Sequence, residues 1–247
     1  MKFYIRENRI LKTEIEDLII ADLALTVAFA LVLVGGIENI SQTLPSFIYF
    51  LPISFIAVSL SFVLHELMHK FIAERYGAIA GFRTSINGLA ITLLTSLFGF
   101  LIGIPGATVI YASNFTKREE GIVSLAGPLT NFAVFSVFFM IGIFIFPNFL
   151  GNVTTSFSSN YYELPPLQNL INISVFISIL LAFFNMLPIY PLDGSKVLRW
   201  NKTIFFSVIL VIFLLFSFVI PIISILIGMI FMLAIAYIFS LFYRGLF

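Results

Sequence analysis

Apolar residues along this chain fall into blocks long enough to cross a bilayer, separated by short polar segments. Leu18 to Ile37 is the first block. It carries Asp22 near its start, where a snorkelling or capping carboxylate is expected. A polar turn through Glu38 and Gln42 leads to the second block, Phe47 to Ile72, which Pro52 is expected to interrupt early. Ile122 to Phe146 and Leu167 to Leu187 are two more, and Thr203 to Phe247 supplies two further spans about Pro221. Gly88 to Ala112 is equally apolar but contains Gly99, Gly103, Pro105 and Gly106. It is also rich in β-branched residues such as Ile91, Thr92 and Thr95, so a re-entrant β-hairpin or loop is expected there. The pattern predicts an all-α polytopic membrane protein of about six transmembrane helices plus that re-entrant segment, 88–112.

Composition agrees: 60% of the 247 residues are hydrophobic and 10% charged, with a mean hydropathy of +1.11, which excludes a soluble domain. The positions of the charges add a topology. With six spans and a re-entrant segment, all 13 Lys and Arg fall on one side, from the amino-terminal segment through Lys70 to Arg118, Lys196 to Lys202 and Arg244. Both termini are therefore expected in the cytosol of a multi-pass protein, most simply in the cell membrane. Residues 1–17, mixed in charge, read as a cytosolic or interfacial segment with a weak strand signal, and no cleavable signal peptide is evident. Residues 18–247 read as a single domain. The loop Pro147 to Pro166 holds an Asn152-Val153-Thr154 sequon, a pattern that arises readily by chance.

The two histidines of the chain stand in His65-Glu66-Leu67-Met68-His69, at the end of the second block. On a helix, residues i and i+4 share a face, so both imidazoles can reach one metal ion, with Glu66 beside them to handle a water. The alternative is a pair of buried structural histidines, which an apolar segment disfavours. At 1.5 Å per residue the motif lies roughly 5 to 15 Å below the cytosolic surface. A catalytic zinc usually takes three protein ligands and keeps a fourth position open. There are no cysteines and no third histidine, so the third ligand is expected to be a carboxylate. Asp193 is favoured over Asp22 by depth and elimination, because Pro188 and Pro191 break the fourth span just before it. Asn185 is a candidate to steady an oxyanion or hold substrate backbone. Ser124 to Asn131 reads, on physics alone, as a small-residue packing surface.

These motifs resemble the site-2 protease family of intramembrane zinc metalloproteases. His65 to His69 matches its first metal motif. Asn185, Pro188, Asp193 and Gly194 match its second, and Ala126-Gly127-Pro128-Leu129-Thr130-Asn131 and the Gly103 to Tyr111 stretch are similar to further family segments. The resemblance covers about residues 47–199 and implies one zinc ion (Zn2+) per chain held by His65, His69 and Asp193. It also implies Glu66 as the catalytic carboxylate and gives Gly127 and Asn131 more than a packing role. The flanking spans resemble those of archaeal members, with neither a PDZ-like insertion nor a CBS-like module expected. The expected activity is hydrolysis of peptide bonds in or near transmembrane segments of membrane proteins, with the lipid bilayer as surroundings. No nucleic-acid partner is expected, and oligomeric state is left open. A non-catalytic zinc-containing membrane regulator and a metal or solute transporter are the competing readings. The first is weakened because a structural zinc site more often has four protein ligands, the second because the intramembrane charges form one cluster with no relay across.

Overall fold

A computed structural model describes residues 2–38, 40–102, 105–112, 114–150 and 164–219 of the chain. The weak strand signal at the amino terminus is not realised. Helix α1 runs unbroken over Lys2–Leu33, 32 residues, so the charged segment and the first apolar block form one rod. At 1.5 Å per residue it is about 48 Å long. Helix α2, Ile40–Val58, passes through both Pro45 and Pro52. The expected interruption at Pro52 is absent; the irregularity comes later, in a wide π-turn over Ser59–Val63 that leads straight into α3, Leu64–Arg75.

The segment expected to re-enter as a hairpin or loop is built differently. Ile86–Ser96 is a helix, α4, too short to span, and among the described residues of the segment only Gly106–Tyr111 is a strand, β2. Its antiparallel partner, β1 over Ile79–Thr84, lies before the segment, with Phe82 opposite Thr108. The β-branched residues of α4 are accommodated because the Ser85 side chain caps the helix start by accepting from Gly88 N–H. The Thr92 hydroxyl donates back to Gly88 O at 2.8 Å.

Helix α5, Lys117–Ile145, opens with a reciprocal capping box between Thr116 and Glu119. Helices α6, Pro166–Asn185, α7, Asp193–Trp200, and α8, Lys202–Val219, complete the described chain. Among the described residues, three stretches are long and apolar enough to cross a membrane, Thr43–Arg75, Lys117–Ile145 and Pro166–Asn185, while α4 and Lys202–Ser217 are shorter apolar helices. The expected last span and Asn152 lie outside the described residues.

Helix α6 is the central element. Ile171, Val175, Ile179 and Phe183 pack towards Phe135 of α5, Val197 of α7 and Phe205 of α8. Ile173 and Ile177 face the other way, into a cluster with Leu25 and Phe29 of α1 and Phe50 and Ala57 of α2. Since lipid is as apolar as these side chains, close packing and interhelical hydrogen bonds hold such helices together. The Ser61 and Ser178 hydroxyls meet at 2.7 Å, and Asn169 Nδ2 donates to Tyr49 Oη at 2.9 Å. The polar half of α1 is tied to the rest by charge. Lys70 pairs with Glu14, and Arg83 reaches Asp17 at 2.9 Å.

Candidate metal centre

Helix α3 carries His65 and His69 one turn apart on its buried face. Asp193, the first residue of α7, is buried opposite them. It therefore stands at a helix start, just beyond the break around Pro188 and Pro191. A Cβ at Gly194 would collide with the main chain of Met186 and Leu187, so only glycine lets the start of α7 sit against the end of α6. The two Nε2 atoms are 3.0 Å apart. Asp193 Oδ2 lies 3.4 Å from the first and 3.0 Å from the second. All three candidate ligand atoms fall within 4.8 Å of one another. Ligands placed tetrahedrally at about 2.0 to 2.1 Å from zinc stand about 3.3 Å from each other, so the donor set suits that ion in type and spacing.

The other ring nitrogens are also engaged, which fixes the rings. His69 Nδ1 is 2.8 Å from Val123 O, so its N–H donates there, and in the neutral ring Nε2 is the nitrogen left to ligate a metal. His65 Nδ1 faces Asn131 Nδ2 at 3.1 Å, while Asn131 Oδ1 is buried with no partner. Turning that amide over puts Oδ1 on an Nδ1–H and frees His65 Nε2 in the same way. The orphaned oxygen is thus what a metal-binding tautomer of His65 requires. Gly127, one turn before Asn131 on α5, lies directly beneath the pair. A Cβ there would meet both Nε2 atoms.

Glu66 is buried and turns to β2. Its Oε2 accepts from Thr108 N–H at 2.9 Å and from the Thr108 hydroxyl at 2.8 Å. Asn185 ends α6 and donates through Nδ2 to Leu181 O at 3.0 Å, a bond within its own helix. Asp22 is buried, and its Oδ2 accepts from Ser59, at the start of the π-turn, at 2.7 Å. Lys196 Nζ stands 3.8 Å from Asp193 Oδ1. Val123 and Thr108 were not singled out for the site in the sequence, where nothing distinguishes a carbonyl or a threonine that will touch it.

The model of peptidase family M50 matches residues 53–208, which include every residue of this cluster. The chain belongs to peptidase family M50. This M50 chain is accordingly a zinc metalloprotease, and its resemblance to site-2 proteases holds. It is 40% identical over 153 residues to a protein of Methanocaldococcus jannaschii named "Putative zinc metalloprotease MJ0611", covering 62% of this chain and 72% of that one. A second protein of the same organism, "Zinc metalloprotease MJ0392", is 26% identical over 199 residues, 81% of this chain and 45% of its own length. No solved structure matches the chain.

Proposed function

We propose that this M50 protein is an intramembrane protease that hydrolyses peptide bonds in or near transmembrane segments of membrane-protein substrates. His65, His69 and Asp193 hold one zinc ion, and Glu66 is the general base. The observation that carries the reading is the convergence of three buried donor atoms, two imidazole and one carboxylate, on the helix that bears Glu66. When bound, zinc polarises the scissile carbonyl and lowers the pKa of a water to about 7. Glu66 takes a proton from the attacking water and passes it to the leaving amine nitrogen. Asn185 holds substrate backbone or the developing oxyanion from the end of α6. Peptide bonds in a helix are shielded by their own hydrogen bonds, so substrate unwinds and extends beside the outer edge of β2.

The domain comprises residues 18–247 with its core at 47–199, preceded by a cytosolic segment, 1–17. Six spans place both termini and the metal centre near the cytosolic face of the cell membrane. Supporting this, ion pairs link basic segments assigned to that face: Lys70 and Arg83 to α1, and Arg199 to Glu120 at 2.5 Å. Purified Glu66→Gln protein tests the mechanism. It is expected to retain stoichiometric zinc and to lose cleavage of a membrane-spanning reporter, as chelation of the wild type also does. Full cleavage by Glu66→Gln removes Glu66 from the role of base.

A further inference from the structure

The carboxylate of Glu66 does not point freely into the site. One of its oxygens is held by β2. In the antiparallel ladder, residues facing each other alternate between pairs that exchange both main-chain hydrogen bonds and pairs whose N–H groups point outward. Phe82 and Thr108 are such an outward pair. Phe82 N–H is directed to Glu14 Oε1 at 3.4 Å on the α1 side, and Thr108 N–H to Glu66 Oε2 at 2.9 Å on the α3 side. The Thr108 hydroxyl lies 2.8 Å from the same Oε2 and 3.2 Å from the Glu66 main-chain oxygen. It has one proton to give, and the shorter, charge-assisted contact takes it.

Two donors from one residue therefore converge on a single carboxylate oxygen. Main chain and side chain approach it from different directions, so together they fix the rotation of the carboxylate as well as its position. We infer that Thr108 is a positioning residue for Glu66: it anchors Oε2 and leaves Oε1 as the atom that exchanges protons with water and the leaving amine. This rests on the reading of Glu66 as the base. A carboxylate anchored at one oxygen keeps its other oxygen aimed without reorganisation during the reaction. A threonine is suited to the task because its backbone and its hydroxyl reach the same point, and its branched Cβ fits a strand.

The test compares Thr108→Val, which keeps the shape and the N–H but removes the hydroxyl, with Thr108→Ser, which keeps the hydroxyl. Each is purified with its metal and assayed on a membrane-spanning reporter for kcat, KM and bound zinc. For Thr108→Val, kcat is expected to fall about tenfold to a hundredfold, with KM within about twofold of wild type and one zinc retained. Thr108→Ser is expected to restore kcat to within about threefold of wild type. Should Thr108→Val fail to accumulate, Thr108→Ala carries the same expectation. An unchanged kcat in Thr108→Val, equal losses in the Val and Ser variants, or an effect on KM alone would each overturn the inference. A fully active Glu66→Gln single variant refutes the base itself, independently of Thr108.

Discussion

Asn131 is fully buried, with its amide against His65 and its Oδ1 unpartnered as placed. If it sets the tautomer of His65, its loss is felt at the metal without touching a ligand. Asn131→Leu is expected to weaken zinc binding about tenfold to a hundredfold, measured by competition with a chelator of known affinity. Asn131→Asp keeps an acceptor for Nδ1–H and is expected to bind more tightly than Asn131→Leu. The residues that were readable in advance and those that were not differ in how far their partners lie along the chain. His65 and His69 declare themselves because their relation is one helical turn. Asp193 could be reached by elimination, since few carboxylates lie at membrane depth. Thr108 and Val123 acquire their roles only when β2 and α5 pack against α3, and the contact of Val123 is a main-chain carbonyl that any residue could offer.

Between α2 and α3, the π-turn at Ser59–Val63 joins an apolar helix to the one that bears His65 and His69, and a carboxylate of α1 grips its first residue. Asp22 Oδ1 is already buried without a partner. Ser59→Ala removes the donor from Oδ2 as well, leaving the carboxylate with no hydrogen bond from Ser59. The expected cost is about 1 to 3 kcal/mol, read as a lower midpoint of thermal unfolding in detergent. A second substitution, Asp22→Leu, is expected to recover part of that loss, since removing both partners is cheaper than stranding one. The π-turn had no local sequence signature, because Ser59-Leu60-Ser61-Phe62-Val63 is ordinary helix-compatible sequence. In α4, the β-branched residues pointed to extended backbone, but the segment is a helix whose start is capped by Ser85. Pro52 shows the converse case, a breaker held inside a helix.

For the molecule as a whole, the asymmetry of charge makes a prediction about orientation that the chain's lack of cysteine makes easy to check. Single cysteines introduced at Glu74, Lys117 and Asn148, all exposed, are expected to react with an impermeant maleimide in sealed vesicles from opposite sides. The first two should label together from the cytosolic face and the third from the other. Labelling of Glu74→Cys and Asn148→Cys from the same face contradicts the topology.

The proposed metal ligands come from α3 and α7, which are widely separated in the chain. During synthesis the two histidines leave the ribosome and enter the bilayer well before the aspartate does. On this ligand set, the nascent protein cannot assemble its three-ligand centre while it shares the insertion site with other unfolded membrane segments. The order of residues along the chain then acts as a delay, withholding the complete cutting site until α7 has emerged.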